Sequence, residues 1–383
     1  MELFGFLDYT TLKFIWWVLI GVLWVGFAVT EGFDMGVSML IPFIGKTDTE
    51  RRVVINSIAP HWDGNQVWLV LAAGALFAAW PTLYATTFSG LYPAMMILLF
   101  TLIIRPAAMD YRSKLDNKTW RSTWDWLFIL PGVVPPLILG IAMGNLFLGL
   151  PFQYDDYMRS TYSGGFFGLF QPFALLAGAL AVAMFLLQGV TFLILRTHGA
   201  IHFRAQKILP FASLAVMVLF AIGGVWVASM NGLAITGEFD LAGVSNPTKK
   251  TVEMVAGGWL QNYTLYPLMM IAPAMGFIGA LGAWIMSRPT KTGWAFFFSS
   301  MSLVGIVLTA GFSLFPFILP SSDNISHSLT LWDATASHLT LMIAFFAALV
   351  FVPIILGYTL YCYIALWRTY SVKFIRENDH STY

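Results

Sequence analysis

Long apolar runs broken by short polar stretches dominate the chain from end to end. A helix needs about 20 apolar residues to cross a hydrocarbon core, where lipid-exposed backbone without hydrogen bonds is not tolerated. On that measure the segments 12–41, 58–80, 88–107, 124–148, 172–195, 208–230, 264–286, 293–318 and 338–367 read as nine membrane spans. The polar stretches between them test the count by their charge. One alternating set holds Lys46, Arg51, Arg52, Arg105, Arg112, Lys114, Lys118, Arg121, Arg196, Arg204, Lys207, Arg288, Lys291, Arg368, Lys373 and Arg376, sixteen of the twenty basic residues. The other holds only Lys13, Arg159, Lys249 and Lys250, among acids such as Asp155, Asp156, Glu238, Asp240, Asp323 and Asp333. Cytoplasmic connections carry the Lys/Arg excess. The N-terminus is therefore expected in the periplasm and the C-terminus in the cytoplasm, which an odd number of spans requires. The predicted fold is an all-α membrane protein, a single polytopic domain over residues 1–383 with about nine transmembrane helices, arranged as two four-helix bundles plus one peripheral helix.

Composition sharpens this picture. Of 383 residues 58% are hydrophobic and 10% charged, against roughly a quarter charged in a soluble domain. With 20 basic and 19 acidic residues nothing suggests a nucleic-acid partner. The single cysteine, Cys362, excludes an intrachain disulfide and reads as an inert core thiol. The first eleven residues carry Glu2 and Asp8 in place of a signal peptide's basic region, so the first span is expected to stay. The connection 231–263 suggests a short surface helix after Ser245-Asn246-Pro247, capping the bundle. Leu91-Tyr92-Pro93-Ala94-Met95-Met96-Ile97 is echoed by Leu265-Tyr266-Pro267-Leu268-Met269-Met270-Ile271 four spans later, the pattern of a duplicated four-helix unit.

Ionisable groups inside a span cost about 2.5 to 3.5 kcal/mol each on insertion scales, so they ask for a reason. Glu31 and Asp34 are three apart on one face of span one, close enough to share a proton or to pair with Arg51 and Arg52. His61 and Asp63 open span two beside Gly64, Asn65, Gln66 and Trp68, where carboxylate and imidazole can exchange protons. Asp110 and Lys114 are four apart at the inner surface and can pair on one helical turn. His198 and His202 have metal-compatible spacing, but no third ligand lies nearby, and a solvated inner loop is the expected setting. No metal site is predicted.

Several strings, in this order, carry a resemblance: Phe14-Ile15-Trp16-Trp17; Glu31-Gly32-Phe33-Asp34-Met35-Gly36; Asn56 through Trp68; Arg105-Pro106; Asp110-Tyr111-Arg112; Pro320-Ser321-Ser322; and Ser328 through Thr335. Together they resemble subunit II of the cytochrome bd type quinol oxidases over nearly the whole chain. Glu31 departs mildly, since many members have Asp there. The resemblance implies a heterodimer with a haem-bearing subunit I, often joined by a small single-helix subunit, in the bacterial inner (plasma) membrane among lipid and the quinol pool. The complex oxidises quinol and reduces dioxygen to water with cytoplasmic protons. Two haems b and haem d belong to the partner, and a quinone is compatible with this chain. No catalytic residue is expected here. Asp63, His61, Glu31, Asp34, Asp110, Lys114 and Tyr383 are candidates for a proton route, and Trp68 for an oxygen route or interface.

Two rivals remain at this stage. A secondary transporter with buried carboxylates would place them near the midplane on discontinuous helices, whereas Glu31, Asp34 and Asp63 lie toward one face. A self-sufficient haem enzyme would need facing His/Met ligands. The topology itself is testable: reporter fusions after Arg121, Arg204 and the C-terminus should report cytoplasm, and fusions near Tyr157, Thr251 and Ser326 periplasm. Two reversed sides would defeat the nine-span reading.

Overall fold

The computed structural model describes residues 7–237, 239–287, 292–378 and 382–383. Helix α1 (Tyr9–Ile44) starts where the Asp8 side chain accepts from the Thr11 amide. Thr47 and Glu50 then form a capping box that opens α2 (Asp48–Ile58). Next come α3 (Trp62–Ala79), α4 (Pro81–Gly90), α5 (Tyr92–Arg112), α6 (Lys118–Leu127), α7 (Ile129–Leu148), α8 (Pro172–Arg196) and α9 (Ala200–Ser229). The chain finishes with α10 (Gln261–Leu265), α11 (Ile271–Ile285), α12 (Thr292–Leu314), α13 (His338–Ala365) and α14 (Val372–Glu377). Prolines at the first turns of α4, α5 and α8 fit positions whose N–H has no intrahelical partner.

Among the described residues eight helical stretches are long and apolar enough to cross a membrane: α1, α5, α6 with α7, α8, α9, 267–285, α12 and α13. The remaining expected span forms α3, 18 residues whose first turn holds Asp63, Asn65 and Gln66. That polar turn sets it apart from the eight, and it packs against α1.

Packing divides the helices as 4 + 4 + 1. Helix α1 packs on α3 and α7, and α5 on α7, while α8 packs on α9 and α12, and α11 on both α9 and α12. The sets share three neighbour pairs in chain order, first with second, first with fourth and third with fourth, though α9–α11 has no comparable α3–α5 counterpart, and the repeated Tyr-Pro strings lead into α5 and α11 at matching places. Helix α13 touches α1 and α3 and is the least buried of the eight candidates. The sets join where α8 packs on both α7 and α1, and α1 and α8 approach at Gly36 and Gly189. A Cβ on Gly36 would strike the Phe185 carbonyl and lie 2.8 Å from Cα of Gly189. Small residues replace hydrophobic driving force in lipid by letting backbones touch. Phe33 of α1 stacks on Phe192 of α8 beside this crossing, centroids 4.0 Å apart.

Three two-stranded antiparallel ribbons lie at the opposite end from the basic clusters: β1 (Phe152–Tyr154) with β2 (Ser160–Tyr162), β3 (Asn231–Thr236) with β4 (Thr251–Ala256), and β5 (Phe317–Leu319) with β6 (Leu329–Thr330). The connection 231–263 is thus a hairpin and not the expected surface helix. Its arms are rich in Val, Ile and Thr, and Leu233 and Val252 turn to the small core around Trp259. Residue Glu238, counted in that connection, lies outside the described residues, as do Arg288, Lys291 and His380. The sequence also misplaces several side chains. Cys362 is half-buried on α13, outside any core. His202 is in α9, buried, with Nδ1 2.9 Å from the Ile194 carbonyl, so it is not in a solvated loop.

At the basic end Asp125, fully buried, binds both Arg51 (2.6 Å) and Arg112 (2.6 Å), and Arg112 also meets Asp48 (2.9 Å). Glu50 accepts from the Lys46 and Thr47 amides and from Arg204 of α9 at 2.8 Å. Burial alone raises the Glu50 carboxyl, but those donors outweigh it and hold it below the ordinary glutamate value.

Two outcomes follow from this packing. Gly189→Leu should drive α1 from α8 and cost about 3 kcal/mol or more, read as loss of folded protein in membranes. Gly21→Ala, with nothing within 4 Å of the added methyl, should be neutral or slightly stabilising. Because the folded Glu50 carboxyl is depressed, its stabilisation is present above the unfolded glutamate value and lost as pH falls through the folded one. Glu50→Gln should therefore cost about 1–3 kcal/mol near neutral pH and progressively less as pH falls through the depressed folded value, measured by thermal inactivation.

Candidate functional site

A seam of buried polar groups runs between α1, α3, α5 and α13. Glu31 and Asp34 lie one turn apart on α1, both fully buried. Glu31 Oε1 meets Arg105 Nη1 of α5 at 2.5 Å, and neither side chain has any exposure. This replaces the expected pairing with Arg51 and Arg52. Arg51 goes to Asp125, and Arg52 donates to the Tyr383 carbonyl at 2.8 Å. Arg105, read from sequence as an inner-connection residue, is instead inside α5, since the helix runs past Pro106 to Arg112.

Asp34 Oδ2 accepts from Asn65 Nδ2 of α3 at 2.7 Å, and Asn65 Oδ1 accepts from the Tyr363 hydroxyl of α13 at 2.5 Å. Tyr363 in turn lies flat on the His61 ring, centroids 4.3 Å apart and planes 1° from parallel. His61 precedes α3 and is 4% exposed, with Nε2 unbonded. Asp34 Oδ1 is likewise buried without a hydrogen bond. An unpaired buried charge costs several kcal/mol, so an apolar bundle keeps such a seam only if the charges meet, as Glu31 and Arg105 do. Asp34, by contrast, has only amide support from Asn65. The arrangement can hold or hand on a proton through carboxylate, amide-bridged phenol and imidazole.

Asp63, two residues from both His61 and Asn65 of the seam, points the other way. It is exposed, on the same stripe of α3 as Val67, Val70 and Phe77, which are 53%, 66% and 60% exposed. Trp68 is half-buried, its ring laid over Gly26 of α1. Asp110 is exposed at the end of α5, and Lys114 lies past the helix. Because α5 stops at Arg112, the one-turn geometry for their pairing is missing and no ion pair forms between them. The backbone of Tyr383 is held by Arg52 and Asn56, and its side chain is 40% exposed. The structure thus joins Glu31, Asp34 and His61, and leaves Asp63, Asp110, Lys114 and Tyr383 on the surface of this chain. Sequence reasoning missed Arg105 and Tyr363 as partners. The signal for Arg105 was its apolar flanks, Ile103-Ile104 and Pro106-Ala107-Ala108, which continue the helix on both sides.

Described residues hold no group of three or more His, Cys, Asp or Glu able to bind a metal ion. The model of cytochrome bd terminal oxidase subunit II matches residues 12–366. The chain is 50% identical over 378 residues to cytochrome bd-I ubiquinol oxidase subunit 2 of Escherichia coli K12, covering 98% of this chain and 100% of that one. It is 32% identical to cytochrome bd ubiquinol oxidase subunit 2 of Bacillus subtilis, covering 94% and 97%. A solved bd oxidase chain from Geobacillus thermodenitrificans superposes with a TM-score of 0.66 at 18% identity, over 93% of this chain and 98% of that one, which shows a shared fold. By the span of the family match and these identities, this multi-pass membrane chain belongs to the cytochrome bd terminal oxidase subunit II family.

Proposed function

We propose that this chain is the haem-free half of a heterodimeric quinol oxidase in the bacterial inner (plasma) membrane, working beside a haem-bearing subunit I that reduces dioxygen to water. The names of the E. coli and B. subtilis relatives, ubiquinol oxidase subunits, support quinol as the reductant. The charge sorting of the connections supports nine spans, with the N-terminus periplasmic and the C-terminus cytoplasmic. A small single-helix subunit is a further partner in this reading.

A haem held in this chain would need donors facing each other across a pocket. Three of the described histidines are engaged by backbone groups and a fourth is stacked on a ring, while His198 is exposed on the surface. His202 Nδ1 is on the Ile194 carbonyl, His327 Nδ1 accepts from the Tyr154 amide at 3.1 Å, His338 Nε2 is on the Leu7 carbonyl at 2.9 Å, and His61 is stacked on Tyr363. In this reading the two haems b and haem d belong to subunit I, as the family resemblance implies. The transporter reading loses support because the buried acids pair with Arg105 and Asn65 within continuous helices.

The observation that carries the proposal is the open stripe of α3. An acid, Asp63, stands among exposed Val67, Val70 and Phe77 on a helix whose other side packs on α1. Lipid would leave that carboxylate without partners, whereas a partner subunit covers the apolar stripe and receives Asp63 at its edge. Protons for oxygen reduction can then pass from the cytoplasmic surface, near Asp110, Lys114 and Tyr383, through Asp63 to subunit I. His61, Glu31 and Asp34 form the buried reserve behind it, and Trp68 shields the junction.

Asp63→Asn tests this. The purified complex should keep its partner and its haem spectrum but turn over at least about tenfold more slowly, with reduced proton uptake from the cytoplasmic side. Normal turnover would remove Asp63 from the route, and loss of the partner would assign it to assembly alone.

A further inference from the structure

Five cationic side chains are all but enclosed among the described residues: Lys13, Arg105, Arg112, Arg196 and Lys250. Four have acceptors. Lys13 Nζ donates to the carbonyls of Leu241, Gly243 and Trp332, Arg105 pairs with Glu31, Arg112 with Asp125 and Asp48, and Lys250 with Asp333 at 2.6 Å. Arg196, the last residue of α8, is different. Its side chain has no exposure, Nε, Nη1 and Nη2 are all buried without a hydrogen bond, and, unlike Arg105, it has no carboxylate within ion-pair distance among the described residues.

What surrounds Arg196 is aromatic. Its guanidinium carbon lies 4.3 Å from the centre of the Trp367 ring, 5.6 Å from Phe192 and 5.9 Å from Tyr370. Rings satisfy the face of a guanidinium, but its five N–H donors lie in the plane and point past them. The strap after α13 closes the place: the Tyr370 amide donates to the Arg196 carbonyl at 2.8 Å, and Thr197 bridges to Tyr370. Within electrostatic reach of Arg196, His61 Nε2 is also buried without a hydrogen bond, its ring held by the stack on Tyr363.

We propose that Arg196 and His61 form an enclosed site for a small inorganic anion at the basic end of the helix bundle. The planar fork of donors suits a negative acceptor. Water can satisfy the N–H groups but leaves the charge uncompensated, and Arg368 beside it adds a second positive charge. Among the described residues no carboxylate forms an ion pair with Arg196: Glu31 is paired with Arg105, and Asp34 is held through Oδ2 by Asn65. Full burial under the strap excludes a lipid headgroup with its acyl chains. The bound ion pins the strap and the end of α13. Through Tyr363 it then fixes the Asn65 amide that holds Asp34.

The test uses the purified complex in chloride-free gluconate buffer, with sodium bromide exchanged for gluconate at constant ionic strength. The wild type should show a saturable rise in Tm of several degrees, and bromide-soaked crystals should give an anomalous peak at the Arg196 guanidinium. Arg196→Gln should abolish the rise. If that variant does not assemble, His61→Ala should still weaken the bromide dependence several-fold. A flat titration of the wild type, with no anomalous peak at Arg196, overturns the proposal.

Discussion

The Glu31–Arg105 contact is the constraint on which the first helical set depends. Both groups are fully enclosed 2.5 Å apart, in a chain otherwise built to exclude charge. Removing either would leave an uncompensated buried ion, a loss of about 3–5 kcal/mol in comparable pairs. The pair also fixes register. Arg105 can reach Glu31 only if α5 and α1 hold one vertical offset, and Asp34 then falls at the level of Asn65 on α3. Hydrophobic packing in lipid gives little such specificity, since tails and leucines are equally apolar.

Chemistry at the site follows from asymmetry within the seam. Glu31 is tied to a permanent cation, so its charge is committed. Asp34 has a single amide donor, and its other oxygen is unbonded. Of two acids one turn apart, Asp34 is thus the one whose protonation the surrounding network can follow. Asn65 bridges it to Tyr363 by turning its amide nitrogen to the acid and its oxygen to the phenol, an orientation that the two contacts fix together. A change at Asp34 is therefore transmitted to α13, the most weakly packed of the candidate spans.

Much of this was legible beforehand, for physical reasons. Span positions are written in runs of apolar residues, and the relation behind the neighbour pairs shared by α1–α7 and α8–α12 was visible in one repeated heptapeptide. The polar opening of α3 stood out because amide and carboxylate side chains are costly there. What was not legible are distances across the fold. Arg105 looks like one more positive residue flanking a membrane, because charge counting is blind to whether a side chain faces water or a carboxylate on another helix. Asp110 and Lys114 show the converse error. Their spacing suited a helical pair, but the helix ends at Arg112. The hairpin at 231–256 escaped notice because two six-residue strands of mixed polarity carry a weak signal against such long apolar helices.

The same logic explains why the two acids of the opening strings have opposite surroundings. Asp34 is sealed by α3 and α13 of its own chain, whereas Asp63 begins α3 on the side that no element of this chain covers. Two residues, about half a helical turn, separate Asn65, bound inward, from Asp63, turned outward. That half-turn is therefore the point at which a network internal to this subunit comes nearest to a surface made for another. A helix start suits such a junction, because its first amides lack intrahelical acceptors and can support a carboxylate or ordered water without breaking the helix below.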